Sequence, residues 1–224
     1  MSLPNHQYAL VNADTDSISF AKPDGKAFTE AEQARLIDEI NALTPDLIKW
    51  EHDGVYEQML VVKAKNYAWR TGDKIKLKGA ALLANYKEPA LKKFLLESIR
   101  RIMAGEPVLP LYNEIVTQLH EGQIDIKDWA SKKTITEKII KPERTNEAKV
   151  LEAITRAGLK PQIGDKVYIY FREDDSLGLV DTWNMDHSKP RLFEKLYKTV
   201  KVLEPVLDLT EFLNYKLKKN SKLL

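Results

Sequence analysis

The chain has no cysteine in its 224 residues. Disulfides and thiolate metal sites are thereby excluded, and a cytosolic setting is comfortable for it. No apolar run approaches the roughly 18 residues that a membrane span needs, and no signal peptide is visible, so no membrane partner is expected. There is no Gly-rich phosphate loop, no nucleophile elbow, no internal repeat and no low-complexity linker. His6, His52, His120 and His187 lack ligand spacing and read as surface or core residues. Charge of one sign is also lacking: the net charge is only +2, so the whole chain does not announce a nucleic-acid binder. With 43% hydrophobic and 30% charged residues, the chain can bury a core and fits one large or two small domains.

The distribution of charge is more informative than its sum. Lys63 to Lys78 holds six basic residues against one acid, Asp73. Lys127 to Lys149 holds seven against four acids, and Lys189 to Leu224 holds nine against four. Such clusters release counterions on meeting phosphates, although a solvated lysine face is the commoner explanation of any one of them.

The most specific stretch is Asn12-Ala13-Asp14-Thr15-Asp16-Ser17. An apolar run, Tyr8 to Val11, precedes it and Ile18-Ser19-Phe20 follows, which reads as strand, tight turn and strand. Two Asp side chains at such a bend can converge on a hard divalent ion, while the plain alternative is an ordinary acidic hairpin turn. Thr29 with Glu32 reads as a capping box opening an amphipathic helix, with Ala34, Ile37, Ile40 and Leu43 on or near one face, broken at Pro45 with a short continuation to Trp50. Glu57 to Tyr67 and Ile75 to Leu83 read as strands joined at Thr71-Gly72-Asp73. Pro89 and Gly105 bracket a helix over Ala90 to Ala104, and Gly122 ends another from about Pro110 to His120. Thr145 reads as the cap of a helix to Ala157 stopped by Gly158. Val167 to Phe171 reads as a strand, and Phe193 to Leu203 and Leu209 to Lys218 as helices. The last residues, from Lys218, read as a basic frayed end.

Asp14-Thr15-Asp16-Ser17 resembles the catalytic hairpin of family B DNA polymerases, with Asn12 where the family usually has an aromatic residue. Glu57 to Ala68 resembles the family's palm motif in which a Lys and a Tyr touch the primer–template duplex, matched here by Lys65 and Tyr67. Lys76-Leu77-Lys78-Gly79 is similar to the short basic element that follows, Pro89 opens a helix as at the palm-to-thumb junction, and Gly164-Asp165-Lys166-Val167 resembles a thumb strand. The resemblance covers nearly the whole chain, strongly before residue 90 and more loosely after it.

The resemblance implies an α+β fold: a partial palm over residues 1–87, with an antiparallel hairpin, further strands and one covering helix, then a mainly helical thumb with a small β element over residues 88–224. It implies a two-metal Mg²⁺ site for nucleotidyl transfer, with Asp16 as the principal ligand and Asp14 as a weaker ligand or a turn-shaping residue. Lys65 and Tyr67 are expected along the primer end, Lys76 and Lys78 at phosphates, and Gly79 where backbones approach closely. Lys132, Lys133 and Thr134 are expected on the duplex backbone, on charge alone. Primer–template DNA and a dNTP are the implied partners, in a bacterial or viral replication setting. The family's other catalytic Asp and its finger helix have no counterpart here. The chain is therefore expected to be a fragment or one subunit of a split enzyme, inactive without an N-terminal polymerase segment. Two other functions compete: a non-catalytic primer–template binding module, and an unrelated Asp-x-Asp enzyme such as a sugar-nucleotide glycosyltransferase, which leaves the Lys65 and Gly164 matches unexplained. A phosphatase of the Asp-x-Asp-x-Thr kind is disfavoured because Ile18 occupies the Thr position.

Overall fold

The computed structural model describes residues 8–83 and 87–212. The chain forms two compact units, Met1–Ala80 and Ala81–Leu224, and its class is α+β, with small antiparallel sheets among helices.

In the first unit, strands β1 (Ala9–Asp14) and β2 (Ser17–Ala21) form a two-stranded hairpin, with a bulge between Leu10 and Asn12. Helix α1 (Glu30–Ala42) begins at Thr29, whose hydroxyl accepts from the Glu32 amide while the Glu32 carboxylate accepts from the Thr29 amide. That capping box is the one expected from the sequence. Lys22, just past β2, pairs with Glu32 at 2.9 Å and ties the helix start to the hairpin. Lys22 first and then the Thr29 amide pull the Glu32 carboxyl down to about 2 against the opposing effect of burial, with a lesser contribution from the Thr29 hydroxyl. The stripe differs from the expected one: Leu36 and Ile40 are buried, one turn apart, whereas Ala34 and Leu43 are exposed. No helix continues to Trp50. Residues 46–50 are turn and coil, held by the Asn41 side chain, which bonds both the amide and the carbonyl of Trp50.

Strands β3 (Gln58–Lys63), β4 (Asn66–Thr71) and β5 (Lys74–Lys78) make a second antiparallel sheet in the order β3-β4-β5. The single strand expected over Glu57 to Tyr67 is instead two, β3 and the start of β4. The chain reverses at Ala64-Lys65, because Lys65 adopts a left-handed conformation (φ 60°) without any glycine to signal a turn. The strand expected to run to Leu83 stops at Lys78, and Ala80–Leu83 is a single helical turn, α2.

The second unit opens with α3 (Pro89–Ala104) and α4 (Leu109–Glu121), each ending in a left-handed glycine, Gly105 and Gly122. Proline at the start and glycine past the end fix both helices as expected. Short α5 (Ile126–Trp129) follows, then β6 (Ser131–Thr134), short α6 (Glu137–Ile140), α7 (Thr145–Arg156), β7 (Lys166–Phe171), β8 (Leu177–Leu179) and α8 (Lys189–Lys201). Thr145 is the first residue of α7 rather than its cap, which is Arg144. Residues 209–212 are not helical, and the rest of the helix expected to Lys218 lies outside the described residues.

β6, β7 and β8 form one antiparallel sheet in that order, and β7 divides the unit's two cores. Alternation along a strand sends successive side chains to opposite faces. Ile169 accordingly packs with Ile135, Ile139, Val150 and Ile154. Its neighbour Tyr170 packs with Phe94, Tyr112, Leu192 and Leu196 in the helical core. Gly178, opposite Tyr170, leaves room for the ring: a Cβ there would strike Tyr170 Cζ and Oη. The Tyr170 hydroxyl donates to Asp186 at 2.6 Å, and burial first, then the carboxylate, hold the phenol above its ordinary range. The Gly164-Asp165 pair has a local explanation. Gly164 is left-handed (φ 96°), its amide donates to the Ile135 carbonyl at 2.9 Å, and the Asp165 carbonyl accepts from the Ile135 amide at 2.8 Å. β6 and β7 are thereby zipped beyond their last ladder pair.

Glu88, immediately before α3, is buried and accepts hydrogen bonds of 2.5 Å from both Ser131 Oγ and Lys195 Nζ. One carboxylate thus links the start of α3, β6 and α8. Replacing it strands a partly buried ammonium. Glu88→Ala is expected to lower unfolding stability of this unit by roughly 1.5–3 kcal/mol, the range for hydrogen bonds to charged groups. Chemical denaturation checks this, and a midpoint within error of wild type contradicts it.

His187 gives the fold a pH dependence. It is buried, its Nδ1 accepts from the Trp183 indole N–H at 3.3 Å, and its Nε2 has no partner among the described residues. Burial first, then the Lys189 ammonium, lower its pKa against the opposing carboxylates of Asp186 and Glu173. The unfolded chain therefore takes up this proton before the folded one. Its contribution is complete above the free imidazole value of about 6.5 and is lost as pH falls towards the folded value. The expected outcome is a melting temperature that drops between neutral pH and pH of about 5, with a shallower drop in His187→Gln; parallel profiles for the two proteins contradict it.

Candidate active site

The acidic hairpin treats its two aspartates differently. Asp14 closes β1 opposite Ser17 and is 8% exposed, while Asp16, at the tip, is exposed to solvent. Thr15 takes a left-handed conformation (φ 55°) to make the reversal. The Asp16 amide and the Ser17 hydroxyl both donate to the Asp14 carbonyl, at 2.7 and 3.1 Å. The Thr15 hydroxyl donates instead to the Asp14 carboxylate at 3.2 Å. The tip is therefore fixed by its own polar groups, and it leaves the Asp16 carboxylate without a hydrogen-bond or ion-pair partner among the described residues.

Asp14 is bound from the second sheet as well. The Tyr67 hydroxyl donates to Asp14 Oδ2 at 3.2 Å, and Lys78 Nζ stands 3.6 Å from the same oxygen. Tyr67 and Lys78 are opposite one another on β4 and β5, with the ammonium 5.6 Å from the ring centroid. Burial works to raise the Asp14 carboxyl, but Thr15, Tyr67, Lys78 and Lys65 together outweigh it and hold the group below its ordinary value. It is an anion at neutral pH. Tyr67 itself is 5% exposed, and its ring packs on Trp69 at 5.4 Å, which in turn packs on Tyr56 at 5.3 Å.

The sequence candidates Lys65 and Gly79 meet directly. Gly79 has φ 102°, and a Cβ there would collide with the Lys65 carbonyl oxygen and with the Asn66 side chain. Only glycine permits that approach, and so the basic element ends in glycine. Lys65 sits exposed at the tip of the β3–β4 reversal. Along β5, Lys74, Lys76 and Lys78 are exposed while Ile75 and Leu77 are half-buried, so alternation lines the lysines along one face of an edge strand. Such lysines also keep an edge from pairing with another sheet. The structure thus brings Asp14, Lys65, Tyr67, Lys78 and Gly79 together within the first unit, with Lys76 beside them and Asp16 at the rim.

The other candidates lie in the second unit. Lys132 and Thr134 are exposed on β6, and Lys133, between them, is half-buried. The basic cluster from Lys189 onwards is largely engaged internally: Lys189 donates to the His120 carbonyl, Arg191 pairs with Asp175, Lys195 with Glu88 and Lys198 with Glu194. Its residues from Lys216 lie outside the described residues. What sequence reasoning did not find is the role of Glu88. A lone Glu before a proline carries no signal for a contact with residues 43 and 107 positions away.

The donor set suits a hard divalent ion only in part. Asp16 offers two free oxygens and Asp14 is an engaged anion beside it, yet among the described residues no three His, Cys, Asp or Glu side chains converge to hold a metal. No helix of the described residues is long and apolar enough to cross a membrane.

Among solved structures, the chain is similar to the family B DNA polymerase from the hyperthermophilic archaeon Pyrobaculum calidifontis, with a TM-score of 0.62 and 19% sequence identity. The likeness is one of fold. It takes in 93% of this chain and 27% of the length of that polymerase. No family model matches the sequence, and no curated protein matches it significantly.

The geometry around Asp14 has a direct consequence. Tyr67→Phe removes a hydroxyl that stabilises the anion, so the Asp14 carboxyl is expected to titrate at a higher pH than in wild type. Because the folded value is depressed, the stabilisation is present above the unfolded value of about 3.9 and is lost as pH falls through the folded one. Carboxyl-carbon NMR titration reads the midpoint; an unshifted Asp14 in Tyr67→Phe contradicts the assignment.

Proposed function

We propose that this chain is the catalytic-hairpin and thumb portion of a DNA-directed DNA polymerase. The observation that supports this best is the convergence of three separate sequence motifs on one carboxylate: the acidic hairpin through Asp14, the Lys-x-Tyr element through Tyr67, and the Lys-x-Lys-Gly element through Lys78. A fold similar to part of a family B polymerase over 93% of the chain is consistent with it.

In this reading Asp16 is the residue free to ligate a divalent ion, and Asp14 is held anionic beside it. Lys78 offsets the Asp14 charge, which lessens the repulsion between the two carboxylates. Divalent ions of the Mg²⁺ kind, when bound, polarise the transferring phosphoryl group and activate the primer hydroxyl. The remaining carboxylate and the groups that grip a dNTP come from polypeptide beyond these residues, so that the chain alone holds Mg²⁺ weakly and extends no primer. Tyr67 acts through Asp14, since its hydroxyl is already engaged. Lys65, Lys76 and Lys78 meet primer–template phosphates, contacts that position the duplex without reading its sequence. A second reading, a non-catalytic primer–template binding module, is favoured by how completely Asp14 is engaged within its own fold.

Primer extension by this chain supplied with the complementary palm-and-finger polypeptide separates the two. Polymerase function predicts Mg²⁺-dependent extension that Asp16→Ala reduces by roughly 10³-fold or more, about 4 kcal/mol of transition-state stabilisation. Extension that survives Asp16→Ala overturns the metal-ligand assignment. Duplex binding without extension, unchanged by Asp16→Ala, favours the binding module.

A further inference from the structure

The sheet of the second unit has one face that its fold covers only in part. Ladder partners Lys132↔Tyr168 and Thr134↔Lys166 share that face, and Ser131↔Ile169 and Lys133↔Val167 share the other. Val167 and Ile169 pack with Ile135, Ile139, Val150 and Ile154, which closes their side. On the open side Lys132, Thr134 and Lys166 are exposed, and Tyr168 remains 44% exposed although it lies in the middle of a ladder. Two residues along the same face, Tyr170 is buried in the helical core, so the open part is confined to the Lys166 end of β7.

Three properties of this patch call for a ligand. Neither Lys132 nor Lys166 makes an ion pair among the described residues, although they are diagonal neighbours that repel one another. Asp165, the acid adjoining Lys166, already accepts from the Gln162 amide at 3.2 Å. The Tyr168 ring and hydroxyl likewise have no partner among the described residues, which leaves a flat aromatic surface between two uncompensated cations. An aromatic ring on a sheet, flanked by cations, suits an unstacked base with its adjoining phosphates. A base pair inside a duplex keeps its faces stacked and has none to offer.

We infer that this face binds single-stranded nucleic acid, with a base on Tyr168 and the flanking phosphates on Lys132 and Lys166, while Lys133 takes no part. The inference rests on the polymerase reading only for the kind of polyanion involved, and it places a single-strand site apart from any grip on duplex.

Fluorescence anisotropy of the full 224-residue chain with a short oligothymidylate, and with a blunt duplex of the same length, tests it. Tyr168→Ala is expected to weaken oligothymidylate binding roughly tenfold, within the range for loss of one base–aromatic stack. Tyr168→Phe, which keeps the ring, stays within about twofold of wild type. The double variant Lys132→Ala, Lys166→Ala lowers the slope of log affinity against log salt by about 1.4, as for two single-strand phosphate contacts. Lys133→Ala changes neither. If Tyr168→Ala binds oligothymidylate as wild type does, or Lys133→Ala loses as much as Lys132→Ala, the inference is wrong. Salt-dependent duplex binding in that same protein leaves the polymerase reading standing. A wild-type chain that binds neither oligonucleotide counts against both.

Discussion

A single buried carboxylate organises the first unit. Asp14 is bonded by its neighbour Thr15, by Tyr67 from the middle strand of the second sheet and by Lys78 from its edge. A two-stranded hairpin is at best marginally stable in water by itself. The contacts to Tyr67 and Lys78 give the β1–β2 hairpin a fixed attachment, and the same contacts decide which aspartate is free. Because Asp14 is taken up inside the fold, the exposed carboxylate at the tip is that of Asp16. Gly79 reinforces the arrangement from below, since its missing side chain lets β5 end against the Lys65 carbonyl. The two acids of the hairpin are therefore unlike in environment although they are two residues apart: Asp14 is engaged within the fold, and Asp16 is exposed without a partner among the described residues.

The second unit depends on the parity of one strand. β7 sends Ile169 to the helices α6 and α7 and Tyr170 to the helical core, so a single register fixes both cores. That register also sorts the basic residues of β6. Lys132 and Thr134 go to the open face with Tyr168 and Lys166, and Lys133 goes to the covered one. Glu88 joins β6, through Ser131, to α3 and α8.

How much of this was legible in the sequence follows from the range of each signal. The helix bounds set by Pro89, Gly105 and Gly122, and the capping box of Thr29 and Glu32, were readable because the chemistry is local. The reversal at Ala64-Lys65 was not, because Lys65 adopts a left-handed conformation that a glycine would normally announce. β6, α6 and β8 were missed since three or four residues are too few to show a period. In the site, the motif residues were visible and the resemblance ranked Asp16 above Asp14, but the contacts that separate the two were not. Nothing near Asp14 in sequence shows that Tyr67 will donate to it from 53 positions away, nor that Asp16 will be left open. Similarly, charge alone grouped Lys132 with Lys133, and only the ladder with β7 separates them.

The attachment of the hairpin through Asp14 is the claim on which the functional reading turns, and a double-mutant cycle tests it most directly. Stability is measured for wild type, Asp14→Asn, Lys78→Met and the double variant. Groups in contact are expected to be non-additive, with the double variant losing clearly less than the sum of the single losses. Strictly additive losses would mean that Asp14 and Lys78 do not meet, and that the acidic hairpin and the basic strand do not form one site.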